Sequence, residues 1–183
     1  MLSIRKYEEK DYKDVQYICL NSDGSVMSDE TCAFILLTYC NYYIDNEPEN
    51  CFVLDDDGKA VGYIICASDF DSFKKIFDEK YMPEIIKMGQ ERVDWAVDSV
   101  VLHNKYKNEY PAHLHIDLLP PYHRQGWGGK LLDILCEHLR AKGIKGVMLS
   151  AGTENTSAHR FYEKYGFSHI ETYHTDVGFG KIL

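Results

Sequence analysis

The chain predicts a mixed α/β (α+β) fold in a single domain spanning residues 1–183, on three observations. An Asp-Gly turn at Asp57 and Gly58 joins two apolar runs, residues 51–54 and 60–66, as an antiparallel hairpin. A strictly alternating run over 112–119 leads through a glycine-rich turn into an amphipathic helix. A short strand, a second helix and a return strand follow, so the second half reads β-α-β-α-β, a parallel crossover followed by a return strand.

In chain order, residues 2–6 alternate weakly and predict a first strand. Tyr12, Val15, Ile18 and Cys19 fall at helical spacing within 11–20. Residues 21–28 are polar and contain glycine, a loop, and 31–44 are apolar and long enough for a second helix. The acidic triplet of the hairpin turn lacks the ligand spacing and closing Glu of a calcium loop and reads as a solvated turn. Between 68 and 110, Phe70, Phe73, Ile76 and Phe77 recur with helical spacing, Pro83 breaks that helix, and 85–101 is helical again; Trp95 reads as packing. In the 112–119 strand Leu114, Ile116 and Leu118 share one face, and His113, His115 and Asp117 the other. The helix after the turn carries Leu131, Leu132, Leu135, Cys136 and Leu139 on one face and stops at Gly143. A strand over 147–150, a helix over 155–165 with Asn155 as its N-cap, and a strand over 167–173 complete the pattern.

Lys and Arg number 20 against 29 Asp and Glu, a net charge of −9, which disfavours coating a nucleic acid. No apolar run approaches the roughly 18 residues that cross a bilayer. Met1 leads straight into the charged residues 5–11, so neither a signal peptide nor a membrane partner is expected. An apolar fraction of 45% with 13% aromatic residues suffices for a core. The six cysteines never form C-x-x-C and sit mostly in apolar stretches, so they read as free, buried hydrophobes in a reducing, cytoplasmic setting.

The strongest chemical signal is Gly126, Gly128 and Gly129 between a strand and a helix, with Arg124 beside them. Glycines let backbone N–H groups converge and a helix N-terminus adds unsatisfied donors, which makes a phosphate site. The spacing fits neither a dinucleotide fingerprint, since Leu131 stands where its last Gly belongs, nor a P-loop, where Arg124 and Leu131 break the pattern. A merely structural tight turn is the alternative. In the 155–165 helix Ala158, Phe161, Tyr162 and Tyr165 share a face, so spacing alone makes Tyr162 a core residue. Its phenol stays protonated at neutral pH and can also serve as a general acid. The face of His113, His115 and Asp117 reads first as solvated or hydrogen-bonded, second as a base or substrate contact, and third as metal ligands.

Residues 118–128 and 155–167 together resemble the GNAT acyltransferase superfamily. Its hallmark (R/Q)-x-x-G-x-(G/A) follows a strand ending near proline, and a later N-x-x-A-x-x-F-Y-x-x-x-G-F helix accompanies it about thirty residues on, as here. The resemblance implies a mostly antiparallel central sheet of about six to seven strands, flanked by helices, with a parallel β-α-β core. It implies acetyl-CoA as co-substrate, its pyrophosphate on the amides of Gly126, Trp127, Gly128 and Gly129, with Arg124 and Gln125 assisting. Backbone at Leu118 and Leu119 would pair with the pantetheine arm and polarise the acetyl carbonyl. Asn155 would hold the far end of the cofactor, and Tyr162 matches the tyrosine that protonates the departing thiolate. His123 stands where the family prefers Arg or Gln. Asp117 and His115 are the candidate general bases, Asp117 first. A weaker resemblance joins residues 113–120 to the acetyltransferase-like domains appended to some O-GlcNAc hydrolases.

The expected reaction is transfer of acetyl from acetyl-CoA to a primary amine, a small molecule or a peptide, by direct attack in a ternary complex. In this architecture the first two helices and the helical insertion 68–110 set and cover the acceptor site, and homodimers are common. The competing reading is a silent acyl-CoA-binding or protein-interaction module. No metal is expected.

Overall fold

A computed structural model describes residues 1–183. Seven strands form one sheet: β1 (Leu2–Lys6), β2 (Phe52–Asp56), β3 (Lys59–Ala67), β4 (Ala112–Leu118), β5 (Gly146–Gly152), β6 (Ser168–Tyr173) and β7 (Asp176–Ile182). Their spatial order is β1-β2-β3-β4-β5-β7-β6, and every neighbouring pair is antiparallel except β4–β5. This is the mixed, mostly antiparallel sheet with a parallel β-α-β unit that the sequence predicts. Its hairpin turns through Asp57 and Gly58, both at positive φ (50° and 95°), the backbone that Asp-Gly supplies most easily. β3 is buried at every position from Ala60 to Ala67, as a central strand covered on both faces must be.

Helices α1 (Tyr12–Asn21), α2 (Asp29–Tyr39), α3 (Asn41–Asn46), α4 (Phe70–Ile76), α5 (Met82–Ile86), α6 (Gln90–Asp98) and α7 (Val101–Tyr106) precede β4 in the chain. One core holds side chains of α1, α2, α3, α4, α5 and α6 against Val53, Tyr63, Ile65 and Ala67 of the sheet. A second core, with Leu114, Val147, Leu149, Val177 and Phe179 from the strands, packs under α8 (Trp127–Ala141) and α9 (Thr156–Lys164). Leu131, Leu132, Leu135, Cys136 and Leu139 of α8 are all buried, as their spacing predicts. All six cysteines are free, and Cys40, Cys51, Cys66 and Cys136 are buried. No helix is long and apolar enough to cross a membrane.

Four expectations need correction. The helix expected over 31–44 is two, α2 and α3, because Cys40 leaves helical geometry at φ −129°, ψ −60°. The helix expected over 85–101 is divided at Gly89, whose φ of +102° no helix accommodates. Pro83 does not end the preceding helix. A π turn over Phe77–Tyr81 carries the chain into α5, where Pro83 sits in the first turn and its missing N–H loses no bond. Finally, the pattern does not end with the strand over 167–173: β7 follows it, unread in the sequence, and lies between it and β5.

Candidate functional site

The parallel pair β4–β5 is in register at Ala112↔Val147 and His113↔Met148 alone, and beyond His113 the strands diverge. β4 keeps its β3 partner along its whole length, from Ala67↔His113 to Gly62↔Leu118. Its other edge faces a gap from Leu114 onward, so extended backbone groups there lie open to a ligand, as at any sheet edge.

The glycine-rich turn closes the wide end of this gap. A 3-10 turn over Pro120–Tyr122 and positive φ at Arg124 (58°) and Gly126 (83°) swing the chain from β4 into α8. Three side chains fix the turn: Tyr122 Oη donates to Asp56 Oδ2 (2.9 Å), Gln125 Nε2 donates to Pro121 O (2.7 Å), and His123 Nε2 meets Leu118 O at 2.7 Å. Gly126 is the N-cap of α8 and offers no side-chain cap. The amides of residues 124–129 donate to no acceptor in the chain, while Lys130 N is the first to bond back, to Gly126 O. These free donors at a helix start form an anion cradle.

The three glycines do different things. A Cβ at Gly126 would meet nothing within 4 Å, so this position needs glycine for its left-handed backbone. A Cβ at Gly128 would lie 3.1 Å from Phe161 Cζ, and one at Gly129 would lie 1.9 Å from the Tyr165 hydroxyl. Those two let the aromatic face of α9 come up against the first turn of α8. Arg124 is exposed, and Lys130, which the sequence reading passed over, lies with Nζ 3.9 Å from the Trp127 ring centre. Asn155 caps α9, its Oδ1 accepting from Ala158 N (3.2 Å) and from Ser157 Oγ (3.0 Å). The Leu119 amide donates to Val61 O, and its carbonyl accepts from Tyr122 N.

Asp117 and His115 stand on β4's face toward α1, α2 and α3. That face is not solvated: His113 is buried, and Tyr43 from α3 packs on both His113 and His115. Asp117 Oδ2 accepts a 2.6 Å bond from Tyr63 Oη. Burial raises the Asp117 carboxyl to about 6 against the pull of that bond, which puts its charge change close to neutrality. Burial has the opposite effect on His115, lowered to about 3, and its Nε2 lies 3.0 Å from Tyr43 Oη. Tyr162 is half-buried among Phe161, Phe167 and Phe179, and its hydroxyl has no partner in the chain. Burial raises its phenol well above the usual value, and the charge of Asp117 adds a smaller push in the same direction. No three His, Cys, Asp or Glu side chains converge as a metal site would require.

The sequence reading missed Tyr39 and Asp176. Tyr39, near the C-terminus of α2, lies 5.6 Å ring-to-ring from His115 and accepts from Trp95 Nε1 (2.8 Å). Trp95 therefore joins α6 to the rim of the site as well as packing on Phe34. Neither residue carries a local motif; the fold sets Tyr39 against His115 of β4 and Asp176 on β7, beyond β5.

Comparison with known proteins bears on this geometry. A family model described as "Acetyltransferase (GNAT) family" matches residues 16–167. Among solved structures, that of SsHAT is 27% identical with a TM-score of 0.87, covering 99% of this chain and 98% of that one. The PaiA N-acetyltransferase from Thermoplasma acidophilum, solved in complex with coenzyme A, is 18% identical with a TM-score of 0.66, covering 100% and 99%. The ribosomal-protein-S18-alanine N-acetyltransferase from Escherichia coli is 18% identical with a TM-score of 0.58, covering 100% and 94%. The last two likenesses speak to the fold alone.

Proposed function

Because the chain belongs to the GNAT acetyltransferase family, with acetyl-CoA as co-substrate, we propose that it transfers acetyl to a primary amine by direct attack in a ternary complex. The observation that carries this reading is the run of free amides at 124–129 at the mouth of the β4–β5 gap. Those amides suit a pyrophosphate, and the open edge of β4 suits the amide-bearing arm of the cofactor. Leu119 has both backbone groups engaged and the Leu118 carbonyl is held by His123, which leaves the Leu118 amide and the residues before it for that pairing.

Asp117 is the general base of this proposal. A carboxylate with a value of about 6 is mostly ionised at pH 7 yet basic enough to take the proton an amine loses as it attacks. His115, at about 3, is too weak a base for that role, and it is better suited to positioning through Tyr43. As the amine nitrogen bonds to the acetyl carbon and the carbon–sulfur bond breaks, Tyr162 delivers its proton to the departing sulfur. Burial holds the phenol in its protonated form at neutral pH, so the proton is present for transfer as the carbon–sulfur bond breaks. Helix α4, whose Phe70 and Phe73 pack on His113 of β4, begins the acceptor-side cover that α5, α6 and α7 continue.

The test is calorimetric titration with acetyl-CoA, with Gly126→Asp as control. The substitution puts a β-substituted, negatively charged residue at a left-handed position facing the phosphates, and it should abolish saturable binding. If the wild type does not bind, the cradle is only a turn. A silent acyl-CoA-binding module is the second reading, motivated by His123 in place of Arg or Gln. Retained binding with no turnover across a broad amine panel is its signature.

A further inference from the structure

Across the β4–β5 gap from Asp117 stands a second half-buried carboxylate that the proposed chemistry does not use. Continuing the His113↔Met148 register by four residues sets Asp117 opposite Gly152, and Gly152 pairs with Asp176 of β7. Tyr63, Asp117, Gly152 and Asp176 thus lie in one row across the sheet. A Cβ at Gly178 would lie 3.2 Å from Leu102 of α7, so Asp176, two residues earlier, faces the helical insertion, the same side as Asp117. Two strand spacings separate them, about 10 Å before the divergence widens the distance.

The Asp176 carboxylate has neither a hydrogen-bond partner nor an ion-pair partner, while Lys105 and Lys107 of the insertion are committed to Glu171 and Asp71. Half-burying a carboxylate unpaired is unfavourable, and the exposed Asp98 at the end of α6 adds a second negative charge, raising the Asp176 carboxyl further. Between the two walls lies Tyr39, whose ring is against His115 and whose phenol feels the Asp176 charge, with Trp95 hydrogen-bonded behind it. The arrangement is an aromatic span with a carboxylate at each end; Arg92, over the Trp95 ring at 5.6 Å and hydrogen-bonded to Thr31, forms an ion pair with neither carboxylate.

We propose that the acceptor is a diamine or an amine with a second fixed positive charge, whose reacting nitrogen lies at Asp117 and whose distal ammonium is held by Asp176 with Asp98. This rests on the acetyl-transfer reading above. Tyr39, held by Trp95, lines the methylene chain and offers its ring to the cation. Asp176 is in this scheme a specificity-determining residue.

The experiment measures kcat/KM for putrescine and for butylamine, amines of equal carbon length that differ in the second charge. The wild type should prefer putrescine, and Asp176→Asn should lower that ratio by about tenfold or more, the scale of one partly buried charge pair. Asp98→Asn, at an exposed position with no folding role, should lower it by a smaller factor. A ratio near one in the wild type, unmoved by either substitution while amines are still acetylated, overturns the inference and leaves acetyl transfer standing. Should neither amine react, acetyl transfer is decided separately by the broad amine panel, and the inference is decided by thermal shift with putrescine in the presence of coenzyme A. A stabilisation lost in Asp176→Asn supports it, and no stabilisation overturns it.

Discussion

Asp117 and Tyr162 are the two residues whose ionisation the proposed chemistry depends on, and each predicts its own signature. With the carboxyl at about 6, kcat/KM should rise with pH through about 6 as the base loses its proton. Asp117→Asn should remove that limb and lower the rate at pH 7 by roughly 100-fold, within the usual range for a general base. A profile that keeps its acid limb in the variant would assign the proton to another group. Tyr162→Phe keeps the ring among Phe161, Phe167 and Phe179 and removes only the hydroxyl. It should lower kcat at least about tenfold with acetyl-CoA affinity unchanged, measured by steady-state kinetics beside calorimetry. Both residues were legible in the sequence, Asp117 from strict alternation along its strand and Tyr162 from its helix motif. Tyr39 and Asp176 were not. Their relevance comes from a register between strands far apart in the chain, and no local pattern encodes it.

At the scale of elements, the first turn of α8 has a double task, free amides on one side and close packing on the other. Gly129→Ala tests the second. Its new methyl would overlap the Tyr165 ring, with atoms at 1.9 and 2.1 Å, so α8 and α9 must move apart. We expect a loss of about 1–3 kcal/mol by urea denaturation. Tyr165→Leu in the same chain should return part of it, because the clash is with the ring and not the backbone. An additive double variant would mean that the helices accommodate the methyl elsewhere. The same logic explains the unread strand. β7 carries Gly178 and Gly180, residues that argue for a loop when read locally. A Cβ at Gly180 would sit 2.5 Å from Tyr110 Cζ, so the glycines exist to let covering segments approach the sheet. The hairpin, the β4–α8 turn and the α9 cap were readable because Asp-Gly, a glycine run and Asn155 act within a few residues. The divisions at Cys40 and Gly89 fall inside apolar patterns that continue across them, which is why periodicity ran the helices together.

The whole molecule hangs on one sheet with a core on each face, and the core toward the insertion includes a cost. His103 of α7 and His113 of β4 meet ring-to-ring at 4.9 Å, buried, with none of their four nitrogens hydrogen-bonded to a side chain or backbone within normal geometry. Burial lowers His103 to about 4 and His113 well below its ordinary value. A depressed histidine contributes stability that is present above its unfolded value near 6.5 and lost as pH falls toward the folded one. Both should therefore weaken the fold as the pH falls below about 6.5. Urea titrations at pH 7.5 and 5.0 measure this, and His103→Leu should flatten the difference by its share. Equal stability at the two pH values would mean that the pair is hydrated or already charged.

The divergence of β4 from β5 has a mechanical consequence. The four strands from β1 to β4 and the three of β5, β7 and β6 are two plates whose only backbone pairing is two residue pairs, with the core under α8 and α9 packed across both, so that junction is a crease in the sheet. Any rocking of one plate on the other changes the width of the gap at its mouth far more than at its root, as a door moves most at its free edge. The root lies at Ala112 and His113, beside the buried histidine pair, whereas Asp117 and the 124–129 amides stand at the moving edge. A rigid, dry pivot and a compliant jaw are thus built from the same strand.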